Sequence, residues 1–115
     1  MKNEESRLQR ACVEWFRYQY PDRIIFAIPN GGKRNAVTAS IMKKEGALAG
    51  VADLCLLYPR GEYHACFIEM KYGKGKQSPA QKAFEVYCVK NNYFYRVCCS
   101  LEHFMQTVSI YESLL

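Results

Sequence analysis

Three side chains in the middle of this 115-residue sequence have the types and spacing to act on a charged substrate: Asp53, Glu69 and Lys71. Asp53 follows Gly50-Val51-Ala52 and opens an apolar run. Glu69 comes sixteen residues later, at the end of Ala65-Cys66-Phe67-Ile68, and Lys71 lies two positions beyond it. In an extended segment, residues i and i+2 point to the same face. Glu69 and Lys71 therefore share a face, while Ile68 and Met70 point into the opposite layer. A neighbouring strand carrying Asp53 brings its carboxylate to Glu69. Two hard anionic oxygens with an ammonium beside them suit an oxygen-seeking divalent cation and a charged phosphate. That is the equipment for metal-assisted phosphodiester hydrolysis. The bare pattern is common, and the same residues also suit a solvated strand face. The loop that follows, Tyr72-Gly73-Lys74-Gly75-Lys76, has the glycines and lysines of a phosphate-contacting segment.

The elements that must position these groups are legible from periodicity and breakers. Leu8, Ala11, Cys12, Trp15, Phe16 and Gln19 follow helical spacing, which predicts a helix from residue 4 to about 20. Asn3 is its expected cap, with Glu4 and Glu5 favoured in the first turn. Arg23 to Ile28 reads as a short strand, and Pro29-Asn30-Gly31-Gly32 as a loop with turn chemistry. A second helix is expected over 35–45, stopped by Gly46. Ala52–Tyr58 and Glu62–Lys71 read as strands joined through Pro59-Arg60-Gly61. Ser78 is a natural N-cap with Pro79 at the first helical position, opening a helix to about Asn91. Tyr93–Cys99 is a fourth strand, and Ser100 caps a last helix. The order α-β-α-β-β-α-β-α implies an α/β domain over 1–115, with a mixed β-sheet of about four strands flanked by helices on both faces.

Half the residues are apolar, enough for one core, and no stretch has transmembrane length or a signal-peptide pattern. A cytoplasmic protein with no membrane association is the expectation. The 16 basic against 11 acidic residues give a formal charge of +5, which permits a polyanionic partner. Lysines and arginines gather at Lys33-Arg34, Lys43-Lys44 and Lys71, Lys74, Lys76; a solvated basic face would look the same. The six cysteines include no Cys-x-x-Cys pair, and most lie in apolar segments. They read as reduced, buried thiols, and the isolated His64 and His103 make a zinc site improbable.

Five motifs in order resemble the VRR-NUC branch of the PD-(D/E)XK nuclease superfamily. They are Glu5 and Gln9 on the first helix, Ile28-Pro29-Asn30-Gly31-Gly32, Gly50-Val51-Ala52-Asp53, Ile68-Glu69-Met70-Lys71, and Ser78-Pro79-Ala80-Gln81. The resemblance covers nearly the whole chain. Ala52 stands where the family commonly has proline and Met70 where it has leucine, and neither side chain enters the chemistry.

The resemblance implies a restriction-endonuclease-like fold and a metal-dependent DNA endonuclease. It implies Mg²⁺ or Mn²⁺ held by Asp53, Glu69, the Met70 carbonyl and Glu5, the last directly or through water. Lys71 would orient the attacking water or stabilise the developing phosphorane charge. Gln81 would hold the water network or touch the phosphate. Asn30, Lys33, Arg34, Lys74 and Lys76 are the expected nucleic-acid contacts. The family likeness also suggests structure-selective cutting of duplex or branched DNA such as four-way junctions, in a phage or mobile-element replication and repair setting. A homodimer would present paired sites to a two-fold substrate; Tyr87–Tyr95 and Phe104, Met105, Val108 and Tyr111 are apolar candidates for its interface, some of which must instead fill the core. The alternatives are a catalytically inactive nucleic-acid-binding module of the same fold and a partner-binding domain whose acids are merely solvated.

Overall fold

The computed structural model describes residues 2–29 and 35–115. The expected element order is observed: α1 (Lys2–Gln19), β1 (Ile25–Ala27), α2 (Ala36–Lys44), β2 (Leu54–Leu56), β3 (Cys66–Met70), α3 (Pro79–Lys90), β4 (Phe94–Cys98) and α4 (Leu101–Ser113). The strands lie in the order β1-β2-β3-β4. β2 runs antiparallel to both β1 and β3, and β4 runs parallel to β3, so the sheet is mixed. The β3–β4 crossover is α3, as a parallel connection requires. α1 begins at Lys2, so Asn3 falls inside the helix and is not its cap.

Alternation along the strands sorts side chains into two layers. Leu54, Leu56, Cys66, Ile68, Met70, Phe94 and Cys98 form one buried layer against Cys12 and Phe16 of α1 and Phe104, Val108 and Tyr111 of α4. On the other face, Ala52, Tyr95, Phe67 and Val97 meet Cys88 and Phe84 of α3. Helices thus cover both faces, but the burial is unequal: α1 and α4 carry the main core. Five cysteines are buried and free, and Cys99 is exposed and free. Burial pushes the thiol of Cys12 up to about 12 and those of Cys55 and Cys88 to about 11, which keeps them protonated and inert.

Two expectations change. Phe104, Val108 and Tyr111 fill the core, as do Phe94 and Tyr95, so none can serve as an interface. The helical period of α4 puts Phe104, Val108 and Tyr111 on one stripe, and that stripe faces the sheet. The tight turn between β2 and β3 also lies one step later than expected. Arg60 and Tyr63 exchange backbone hydrogen bonds (3.1 and 2.8 Å) around Gly61-Glu62.

That turn is tied down by Glu112 near the end of α4. Its Oε1 accepts from Arg60 Nη2 at 2.8 Å and from Arg23 Nη2 at 3.2 Å, while Oε2 accepts from Arg23 Nε at 3.2 Å. Arg23 also lies 4.7 Å above the Tyr58 ring. One carboxylate thereby joins α4, the entry to β1 and the β2–β3 turn. Partial burial alone would raise its pKa, but the two guanidinium groups more than reverse this and hold it at about 2. A depressed folded pKa gives stability that is present above the ordinary value near 4.5 and lost as pH falls toward 2. Glu112→Gln is expected to cost about 1.5–3 kcal/mol at pH 7 and to remove part of the acid limb of the stability curve. Urea unfolding of both proteins from pH 7 to pH 2.5 checks this, and equal curves would show that the bridge contributes nothing.

Candidate active site

The carboxylates of Asp53 and Glu69 meet because of strand register. Cys55 opposes Phe67 and Leu54 opposes Ile68 in the β2–β3 ladder. One step further, Asp53 lies opposite Glu69, on the α3 side of the sheet. Asp53 precedes the first paired residue of β2, and its carbonyl accepts from the Ile28 amide at 2.8 Å, so the backbone there stays extended and fixed. Asp53 Oδ2 accepts from the Met70 amide at 2.7 Å. In an extended strand the N–H and C=O of one residue point to the same side. The Met70 carbonyl therefore points toward Asp53, although its side chain is buried in the opposite layer.

Glu69 is the unusual member. Its side chain is only 2 % exposed, on the face whose apolar groups pack against α3. Oε2 accepts from Gln81 Nε2 at 2.8 Å and lies 3.8 Å from Lys71 Nζ. Oε1 is buried with no hydrogen-bond partner. Burial and then the neighbouring Asp53 charge push the Glu69 carboxyl up to about 8, against a smaller opposing pull from Lys71. Burial also raises Asp53, which the Met70 amide partly offsets. The two acids therefore compete for charge, as closely packed carboxylates do without a cation.

Gln81 is set by the start of α3. The Ser78 hydroxyl accepts from the Gln81 amide (3.2 Å), and the Gln81 side-chain oxygen accepts from the Ser78 amide (2.8 Å). This reciprocal capping box fixes the side chain so that its remaining N–H₂ group aims at Glu69. Gly50, three residues before Asp53, has φ +90°, and a Cβ there would stand 2.4 Å from the Ala80 carbonyl oxygen. Only glycine allows that approach, which clamps the approach to β2 against the first turn of α3.

Glu5 reaches the same end of the sheet from α1. Its Oε2 accepts from the Tyr72 amide at 3.3 Å, and its charge helps to raise both Asp53 and Glu69. It remains outside the tight pair: among the described residues no group of three His, Cys, Asp or Glu side chains converges as a ready metal cage. Gly75 packs against the Lys71 stem, where a Cβ would lie 3.3 Å from Cδ, so the basic loop folds back over that lysine. Lys74 and Lys76 are exposed on this loop. Asn30, Lys33 and Arg34 lie outside the described residues. Not anticipated from the sequence is the anchor of the loop: Gln77 Nε2 donates to Glu85 Oε1 (2.9 Å) and to Tyr95 Oη (3.1 Å). Polar residues eight and eighteen positions apart carry no sequence pattern that betrays such a link.

A mixed four-stranded sheet with helices on both faces, and an Asp and a Glu-x-Lys meeting at one end of adjacent strands, define the architecture of a nuclease-like α/β domain. The VRR-NUC domain model matches residues 3–101. The chain belongs to the VRR-NUC domain family. A solved structure described as a VRR_NUC domain protein superposes with a TM-score of 0.79 at 25 % identity, covering 96 % of this chain and 88 % of the other. Comparison with curated proteins gives no significant match.

The raised pKa of Glu69 makes a signed prediction. Its folded value lies above its ordinary value of 4.5, so the folded state holds more protons between pH 4.5 and 8. Stability of the cation-free protein must then fall as pH rises through that window. Glu69→Gln is expected to shrink the slope, which thermal melts in chelator from pH 5 to 8.5 will measure. An undiminished slope in the variant would assign it to another group.

Proposed function

We propose that this chain is a metal-dependent endonuclease that hydrolyses phosphodiester bonds in DNA, with Asp53, Glu69, Lys71 and Gln81 at its centre. The observation that carries this reading is the orphaned Oε1 of Glu69, a buried carboxyl oxygen beside a second acid. A buried polar atom without a partner is costly, and a divalent cation would satisfy it. The donor set fits a hard cation such as Mg²⁺ or Mn²⁺: two carboxylates, the Met70 carbonyl and, directly or through water, Glu5. When bound, such a cation supplies a water of lowered pKa and neutralises phosphate charge.

The chain's own residues then have distinct work. Asp53 is pre-oriented by the Met70 amide. Gln81 holds one oxygen of Glu69, which leaves the other free to ligate. Lys71, steadied by Gly75 and the Glu69 contact, lies where charge develops on the phosphoryl oxygens and stabilises it. Lys74 and Lys76 attach the strand through its phosphates and read no sequence. Branched DNA, such as a four-way junction, is the substrate class that we favour within this reading.

Asp53→Asn and Glu69→Gln are each expected to abolish cleavage, because each removes a hard anionic ligand at nearly constant volume. Lys71→Ala is expected to raise the barrier by about 2.7–4 kcal/mol while leaving DNA affinity nearly intact. Cleavage of labelled linear, flap and four-way-junction DNA with Mg²⁺, Mn²⁺ or chelator tests all three variants. Binding without cleavage under every cation would favour the inactive binding module.

We further infer a homodimer, since a two-fold pair of sites matches a two-fold junction. With the last helix committed to the core, the exposed apolar surface of α3 at Val86, Tyr87 and Val89 is the face that supports this reading. Light scattering is expected to give twice the chain mass, and Tyr87→Glu to halve it. A monomer that resolves junctions symmetrically would overturn the dimer.

A further inference from the structure

A cavity of about 470 Å³ opens beside Gln81, the residue that holds Glu69. One wall is Gly50 and Ala80, which are in van der Waals contact, with Gln81 next to them. The other is Ala39 and Met42 of α2 and Ala47. One covalent connection and one hydrogen bond join it to the site. Gly50 is three residues before Asp53, and Gln81 holds Glu69 at 2.8 Å. α2 contributes no buried residue to the fold, so its inward residues are not spent on the core. The lining is mostly apolar, with Ser78 and Gln81 as its polar groups and the exposed Lys43 as its one charge.

The volume falls in the range of small-ligand pockets, which are mostly apolar with a few polar groups at one end. A base pair within a duplex cannot enter, because its edges and faces are occupied. A single unpaired base can, since alanine and methionine surfaces suit its flat face and the cationic rim suits its flanking phosphate. We propose that this cavity receives one unpaired nucleobase of the strand being cut, next to the scissile phosphate. This rests on the nuclease reading and deepens it. Extruding a base costs least where it is already unpaired, so the pocket turns an open strand into a preferred substrate. Selectivity for branched DNA then comes from the site itself and needs no sequence readout.

The test uses an oligonucleotide duplex with a short single-stranded arm carrying one 2-aminopurine, titrated with the whole protein in chelator so that no cleavage occurs. Ala39→Leu and Ala47→Leu fill the cavity from two separate segments, and thermal melts establish that each is folded. The wild type is expected to change 2-aminopurine emission at one arm position. Both variants should lose that change while binding fully paired duplex as before. With Mn²⁺ added, the variants should lose roughly tenfold or more of the preference for the open strand over the paired one. An emission change retained by both folded variants, or absent from the wild type, overturns the proposal. Emission changes without cleavage under any divalent cation would uphold the pocket and sink the nuclease reading; cleavage without emission changes would do the reverse.

Discussion

The burial of one carboxylate governs the architecture around the site. Glu69 sits on a central strand, nearly without solvent, beside a second acid. Charging a carboxyl buried in this way is unfavourable, and its pKa is pushed up to about 8. The surrounding elements therefore act as a holder for it. β2 fixes Asp53 through the ladder and the Met70 amide. The capping box of α3 holds Gln81, and the Gly75 contact keeps Lys71 close. Each partner addresses Glu69 Oε2 or the Asp53 carboxylate, and none addresses Glu69 Oε1. The holder is complete except on the side where a cation would bind.

Such a site lowers stability, and the offset lies elsewhere in the molecule. The strands of the sheet separate two ends. At the C-terminal end of β3, acids crowd together. At its opposite end, Glu112 draws Arg23 and Arg60 onto one carboxylate, with Tyr111 Oη donating to the Tyr58 carbonyl at 2.6 Å beside them. The core between them is packed by α1 and α4 on the face away from the acids. The crowding of acids is thus confined to one end and one face, which α3, the basic loop and Glu5 of α1 approach.

Much of this was legible in the residues. Ser78-Pro79 announced α3 because an N-cap hydroxyl and an N1 proline each satisfy a specific need of the first turn. The two-residue period of Cys66–Met70 separated Glu69 from Ile68 and Met70 before any contact was known. Asp53 and Glu69 were paired by that same alternation plus a hairpin. What stayed hidden depended on distance in space. The Glu112 bridge joins residues 89 and 52 positions apart, and charge pattern alone selects no such partners. Phe104, Val108 and Tyr111 were offered as interface because an apolar stripe on a helix does not say whether it meets its own sheet or another chain. The motif placed Gly50 near Asp53, but its reason, the approach to Ala80, exists only once α3 is docked.

That docking also explains why a cavity lies next to the candidate site. For Gln81 to reach Glu69, the first turn of α3 must lie against the approach to β2, and Gly50 permits it to come within contact of Ala80. The chain between β1 and β2 must then pass around that turn. α2 and the segment after it do so while touching the core little. A helix held off the sheet by this geometry leaves space behind it, and small side chains at Ala39, Ala47 and Ala80 keep the space open. The cavity is therefore a consequence of how the glutamine is delivered to the buried acid. The constraint that brings the two acids and Gln81 together also builds the neighbouring pocket, so under the proposed nuclease reading substrate choice and catalysis would be coupled through two residues, Gly50 and Gln81.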